Sequence, residues 1–466
     1  MRKIKNFIFI SLILLGFTAC EDLLETNPRT SVSEEIALGD VASIRSVLMG
    51  AYNVLQNYGY YGRDFIVSAE ILADNVRLAE INSGRFDGQE ANDEGDHISI
   101  WDDAYQVVTR CNNVLAAIDK VDDGTDAEKD AIKGQAYFLR ALAYSDLLRV
   151  YSREPNYLVD AFDLACPIVV DPVDMENGDI YPKRNNVSEV YIQVEADLEK
   201  AIALLDNSNG FPFQASQVAA KALLARVYLY QEKWPLAALL ADEAIAESPV
   251  DLVESGNYVD AFKQGAESLF ELPFAIDESH KFNSLQSIYI EDPVTETGYG
   301  DVVLTDNMLS VFQSGDDRLN LLQESDKGGE DVYFVMKYAG YGGGFGVDNI
   351  ALIRLSELYL ISAEAHVENN EDALAHTAIN ILRAKRNLPD FDPALVDQDL
   401  LDSIMLERRI ELAFEGHRIF DLKRKGSDIL KDESDDNLDW DDFRVVAKIP
   451  TVEIDVNTNL EQNPGY

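Results

Sequence analysis

Apolar residues recur at helical spacing through most of this chain. Ala104, Val108, Cys111, Leu115 and Ile118 stand at i, i+4, i+7, i+11 and i+14, which is one face of an α-helix. The same period runs through 134–151, 188–206, 215–231, 236–247, 352–367, 371–386 and 400–424. Between 250 and 350 it lapses. Leu269-Phe270-Glu271-Leu272-Pro273-Phe274 alternates as a strand does, and the Gly and Tyr around it predict long ordered loops. The expected fold class is mainly α, with long irregular loops and a few short strands.

The helical segments also carry a repeat signature. Counting Val218 as position one of a 34-residue helix–turn–helix unit puts Leu224, Ala225 and Tyr228 at positions 7, 8 and 11. Ala237, Ala241 and Ala244 then fall at 20, 24 and 27, and Pro249 at 32. Small residues at 8, 20 and 27 let two helices approach closely, and Tyr228 fills the space beside them. Lys221 stands at position 4 in place of Trp, so the unit is a variant. A weaker copy starting at Ser356 places Ala363, His366, Ala375 and Ile379 at 8, 11, 20 and 24. Segments 134–151 and 188–206 could form a third pair, but the residues between them are too many for a repeat turn. One unit cannot bury its own apolar face, so three or four tetratricopeptide-like pairs are expected to stack.

The first residues change the picture of where the chain goes. Arg2, Lys3 and Lys5 precede an apolar run from Phe7 to Phe17, too short for the ~20 residues a bilayer span needs, so it reads as a secretory signal. The run ends Phe17-Thr18-Ala19-Cys20, which resembles the lipobox of bacterial lipoproteins, with Phe17 where Leu is usual. On that reading residues 1–19 are a lipoprotein signal peptide and Cys20 is the lipidation site. The alternative is an ordinary signal peptide that ends near a Cys. Two or three acyl chains hold a protein stably to a membrane. The remaining thiols, Cys111 in a helical pattern and Cys166 before a Pro, have no spacing that favours pairing and are expected to be buried and free.

The 84 acidic residues against 39 basic ones make the formal charge −45, or −48 once the leader's three basic residues are gone. A field of that sign excludes nucleic acid as a partner and electrostatic adhesion to anionic lipid. No Pro/Ser/Gly linker divides the mature chain, so residues 20–466 are expected to form a single domain, with an N-terminal part over about 20–250 and a C-terminal part over about 251–466.

Catalytic chemistry does not stand out. The five His show no metal spacing, and no Ser or Cys sits in a nucleophile turn. No metal and no cofactor is expected, and an enzyme is not the expected reading. The Glu and Arg residues of 407–424 are read as ion pairs three apart on one helix, Glu411 with Arg408 and Arg418 with Glu415 and Asp421, above a packed face of Ile410, Phe414 and Phe420. Asp432 to Asp442 lacks the ligand and Gly order of a calcium loop and is read as a solvated run. Gly340 to Gly346, without a phosphate-loop Lys-Ser/Thr, is read as a flexible aromatic loop.

Six stretches in order carry a family resemblance. They are Trp101-x3-Tyr105-x4-Arg110-Cys111-Asn112, Ala136 to Tyr144, Ala219 to Leu229, Ile353 to Ala365, Glu407 to Leu422, and the tail from Ile449-Pro450 to Asn463-Pro464-Gly465-Tyr466. On these the chain resembles the SusD/RagB family of nutrient-binding lipoproteins of Bacteroidota. The resemblance implies a SusD-like helical scaffold with an irregular ligand side. It also implies an outer-membrane location and the role of lid subunit on a SusC-like TonB-dependent β-barrel transporter, capturing glycans or, less often, peptides. Glu21 and Asp22 after Cys20 are similar to signals that send such lipoproteins to the cell surface. A repeat scaffold that only docks the barrel is the remaining alternative.

A sugar offers an apolar C–H face and a ring of hydroxyls, so its site needs aromatic rings to stack on and Asp, Asn or Arg to hold the hydroxyls. Two places supply that mixture. One is Asp74, Asn75, Arg77 and Arg85 leading to Trp101; the other is Tyr289, Tyr299, Tyr338 and Tyr341. Trp101 fits a core helix as well as a platform, and any of the tyrosines could be loop packing.

Overall fold

The structure, a computed structural model, describes residues 37–466 apart from 174–177, 179, 209–210, 264, 292–297 and 432–435. The leader, Cys20, Glu21 and Asp22 lie outside the described residues. So does part of the acidic run; within the rest of it, Asp439 and Asp441 are exposed and Asp442 caps the turn at Phe443–Val445.

The longer helices in chain order are α1 (Val41–Leu55), α2 (Asp64–Ile71), α3 (Trp101–Ala117), α4 (Asp126–Tyr151), α5 (Val187–Leu204), α6 (Gln217–Tyr230), α7 (Trp234–Glu247), α8 (Leu355–Glu368), α9 (Asp372–Lys385), α10 (Asp397–Glu411) and α11 (Arg418–Arg424). Local chemistry sets several of their starts. Thr125 and Glu128 form a capping box at α4, and the Ser216 hydroxyl accepts the Ala219 N–H at α6.

Eight of these helices form four pairs, α1 with α3, α4 with α5, α6 with α7 and α8 with α9, and each pair packs on the next through α3–α4, α5–α6 and α7–α8. The repeat positions explain the closest of these contacts. Ala225, Ala237, Ala241 and Ala244 are all fully buried between α6 and α7. Lys221, in the place of Trp, reaches across to Glu243 at 3.0 Å and Glu247 at 2.8 Å on α7. His366 in the second copy sits between Asp242 of α7 at 3.0 Å and Glu371 at 2.8 Å.

Helices α4 and α5 pair despite their long connection. The excursion closes on itself: Leu164 bridges to Asn186, the Arg184 guanidinium donates to the Ala165 carbonyl at 2.7 Å, and the Tyr144 hydroxyl donates to the Val169 carbonyl at 2.9 Å. The third pair therefore forms, joined by a folded excursion in place of a repeat turn.

The 407–424 segment departs from the expected single helix. Helix α10 ends at Glu411; Phe414 (φ 69°) and Gly416 (φ 82°) then turn the chain through left-handed backbone before α11 begins. The break redirects the charges, and the anticipated i,i+3 partners do not form. Arg408 meets Asp421 at 2.9 Å across the turn, and Glu411 meets Arg386 at 2.9 Å, Arg354 at 3.1 Å and Arg318 at 3.4 Å. Glu415 binds Arg354 and Lys337, while Arg418 binds Asp74. These are buried long-range pairs and no surface ladder. Ile410, Phe414 and Phe420 are buried as expected.

Among the described residues the strands form three antiparallel two-stranded sheets. β1 (Val76–Leu78) pairs with β3 (Val302–Leu304), β2 (Ser268–Leu272) with β6 (Ile350–Arg354), and β4 (Leu322–Lys327) with β5 (Glu330–Val335). One apolar cluster runs from Val41 to Leu460, so both ends of the described chain share a core. Cys111 and Cys166 are buried and free, and burial pushes both thiols up to about 12.

Candidate functional site

The irregular segment that follows β2 folds back onto the end of α1. Gln56, the residue that closes α1, donates its side-chain amide to the Pro273 carbonyl and accepts at its own carbonyl from the His280 ring at 2.7 Å. Next to this anchor Lys281 takes a left-handed backbone (φ 51°), a conformation that costs a non-glycine residue energy and turns the following side chain outward. That side chain is Phe282, 46% exposed.

Phe282 is the middle of an arc of rings. Its ring centroid lies 5.6 Å from that of Tyr299 and 5.3 Å from that of Phe345. Tyr58, 49% exposed, stands beside the His280 ring at 6.1 Å. Cations back the rings. Arg63 lies 5.0 Å from the Tyr58 centroid and donates to the Asn283 side chain at 2.8 Å, and Arg85 lies 4.3 Å from the Tyr299 centroid. Apolar faces with amide and guanidinium donors at their edges suit a sugar ring with its hydroxyls.

The Gly-rich loop carries Phe345 and is pinned, not loose. The Ser279 hydroxyl donates to the Phe345 carbonyl at 2.7 Å, and the Gly346 N–H donates to Gln286 at 2.6 Å. From the other side the Asp348 carboxylate accepts the Gly340 N–H at 3.0 Å and the Tyr341 N–H at 2.8 Å. Burial raises the Asp348 carboxyl to about 6 in spite of these donors. Beside Tyr299 a hollow of about 400 Å³ opens, lined by Asn82, Ser83, Glu291, Asp301 and Lys327 among others.

The residues singled out in the sequence divide between this face and the interior. Arg85 and Tyr299 meet at the arc. Tyr341 rides on the loop that carries Phe345, with its hydroxyl donating to the Met336 carbonyl at 2.8 Å. Asp74 and Arg77 line a neighbouring pocket of about 450 Å³ together with Glu90, Glu330 and Lys431. There Asp74 is held by Arg418 at 2.5 Å, which keeps its carboxyl below the ordinary range despite burial, and Arg77 is held by Glu330 at 2.6 Å. Lys431, buried against the Gln89 and Glu90 carbonyls, is pushed down to about 8.

The others face inward. Asn75 is buried between Glu70 at 2.8 Å and Arg409 at 2.9 Å. Trp101 is buried against Tyr105 and Tyr151, each 5.1 Å away, which is the core-helix alternative for that residue. Tyr289 and Tyr338 stack on each other at 6.1 Å inside the core, and the Tyr338 hydroxyl donates to the Phe414 carbonyl at 3.2 Å. A buried ring has no face left for a ligand, so loop packing accounts for both tyrosines. Tyr58, Phe282, Phe345, Arg63 and Asn283 were not singled out. The one legible sign was an isolated Phe in the polar stretch Ser279-His280-Lys281-Phe282-Asn283-Ser284. Among the described residues no group of three or more His, Cys, Asp or Glu is placed to hold a metal ion.

Comparison with known proteins shows what the chain is similar to. Residues 332–466 match the SusD family, and residues 22–229 match a family described as starch-binding, associating with the outer membrane. A SusD-like protein of Formosa agariphila is 27% identical over the full length of both chains. Among solved structures, a SusD superfamily protein of Bacteroides vulgatus superposes with a TM-score of 0.81 at 26% identity, covering 91% of this chain and 99% of its own. A SusD-like carbohydrate binding protein of the same species gives 0.73 at 25% identity, covering 84% and 85%.

Proposed function

Because the chain belongs to the SusD/RagB family, whose members are binding proteins and not enzymes, we propose that it captures oligosaccharides at the outer membrane by stacking and hydrogen bonding, with no bond made or broken. The exposed ring of Phe282, standing between Tyr299 and Phe345, carries this reading. In a water-soluble surface a large ring held outward by a left-handed residue serves a ligand better than it serves stability. Arg85, Arg63 and Asn283 supply donors at the edges of the rings. Tyr341 orders the loop behind them, and Asp74, Asn75 and Arg77 brace the adjoining wall.

The same proposal makes the protein a lipoprotein, anchored through Cys20 and facing the cell exterior. Its place is the lid of a SusC-like TonB-dependent barrel, to which it hands the captured glycan. Helix stacking suits such a part, because a rigid frame keeps variable loops in register with a partner's mouth.

Isothermal titration of the mature protein against an oligosaccharide panel tests the reading. Binding of at least one oligosaccharide, weakened about tenfold in Phe282→Ala, is the expected result. Silence across the panel together with tight binding of a peptide would move the assignment to a peptide-capturing relative.

A further inference from the structure

The charges around the arc run against the composition of the chain. Carboxylates outnumber cations 84 to 39, and many interior arginines sit on carboxylates, as Arg354, Arg386, Arg408 and Arg424 do. At the arc two cations are engaged less tightly. Arg85 is half-buried, lies over the Tyr299 ring, and gives one hydrogen bond, to the Ser83 hydroxyl at 3.1 Å. Its nearest carboxylate oxygen, on Asp301, is 3.9 Å away, beyond hydrogen-bond reach. Lys281, adjacent to Phe282, is exposed, and its ammonium has no ion pair among the described residues.

Among the described residues, several acids of the neighbourhood are already engaged. Asp64 holds Arg63 at 2.5 Å, and Glu291 lies 3.4 Å from Lys327. Glu278 turns back to accept the Ala275 N–H at 2.9 Å. Asp301 is buried beneath the Ser83 N–H at 2.9 Å and the Ser83 hydroxyl at 2.5 Å. Among the described residues Asp277, exposed on the same outer turn, and Glu80 and Asp87, exposed on the chain beside Arg85, are exceptions. A guanidinium that stacks on a ring and keeps most of its N–H fork open is set up to take an anion bidentately at the edge of a stacked sugar.

Resting on the glycan reading above, we infer that the ligand is an acidic oligosaccharide, bearing uronate carboxylates or sulfate esters, and that Arg85 and Lys281 read those groups beside the Phe282–Tyr299 rings. The two anions share the chemistry that a guanidinium and an ammonium recognise, and a matched pair of probes for each separates them.

The experiment is titration of the mature protein, at about 0.15 M salt, where charges beyond ~8 Å are screened. The probes are a galacturonate tetramer with its methyl ester, and a sulfated galactan tetramer with its desulfated form. One acidic probe is expected to bind at least about tenfold more tightly than its neutral partner, the value of one charge-assisted hydrogen bond over a neutral one. Arg85→Gln and Lys281→Gln each reduce that preference, and together bring it below about threefold, whereas Phe282→Ala weakens both members of the pair by the same factor. A neutral probe bound as tightly as its acidic partner overturns the inference and leaves glycan capture standing. An acidic preference that survives both cation substitutions overturns the assignment to Arg85 and Lys281. No oligosaccharide bound at all overturns both readings.

Discussion

Arg386, the residue that closes α9, and Glu411 at the end of α10 meet as a fully buried pair, with the guanidinium Nη2 2.9 Å and Nε 3.0 Å from the carboxylate. Glu411 also accepts from Arg354 and Arg318, and Glu267 closes the group by binding both Arg386 and Arg354. One carboxylate thus joins α9, α10, the end of β6 and the turn at Asp317–Leu321. A buried charge left without its partner is expensive, so such a group makes these elements stand or fall together.

Glu411→Leu leaves three guanidinium groups without their shared carboxylate. A loss of about 3–5 kcal/mol is expected. Urea unfolding of the variant checks it, as a lowered midpoint with an unchanged slope.

Acid should unfold the protein through the same group. The guanidinium groups of Arg386, Arg354 and Arg318 hold Glu411 well below the ordinary carboxylate range, against the upward pull of burial. A folded value below the unfolded one, near 4, means that the contribution is complete above about pH 4 and is lost as pH falls through the folded value. Thermal midpoints measured from pH 6 to pH 3 should be level at first and then drop, and Glu411→Leu should flatten the drop.

Asp348 runs the other way. Burial raises its carboxyl to about 6, so the folded state holds this proton more tightly than the unfolded chain does. Its contribution therefore favours the folded loop increasingly as pH falls from about 6 toward 4, and is absent above that window. A carboxyl resonance assigned to Asp348 should titrate with a midpoint near pH 6, and the same resonance found near 4 would show the loop to be open to water.

Ala241→Leu forces three more carbons between α6 and α7, where Ala241 is fully buried. A destabilisation of about 1–3 kcal/mol is expected from overpacking, read as a lower thermal midpoint with ligand binding retained.

Phe282→Ala should separate binding from folding. The ring is exposed, so its removal should shift stability by no more than about 0.5 kcal/mol. Loss of one stacked ring should nevertheless weaken oligosaccharide binding by about tenfold, seen by titration. Cys20→Ser should leave the mature fold intact and remove acyl labelling and membrane association, checked by metabolic labelling with palmitate and fractionation.

What the sequence determined by itself was the helical frame. The period of apolar residues placed α3 and α5 to α9 to within a few residues and the end of α4, whose start lies eight residues earlier than expected, and the small residues at Ala225, Ala237, Ala241 and Ala244 marked the tightest interface. Helical spacing is a property of neighbouring residues, so it can be read without knowing what lies opposite. The loops could not be read this way. Tyr289 and Phe282 stand seven residues apart in the same aperiodic segment, yet one ring is fully buried and the other is held out to water. Asp74 looked like a ligand-binding acid and is instead gripped by Arg418, 344 residues later. Whether a loop side chain faces a partner or the solvent depends on which distant segment packs against it. Only the tertiary structure decided that Gln56, His280 and Gln286 fasten three separate loops into one arc of rings.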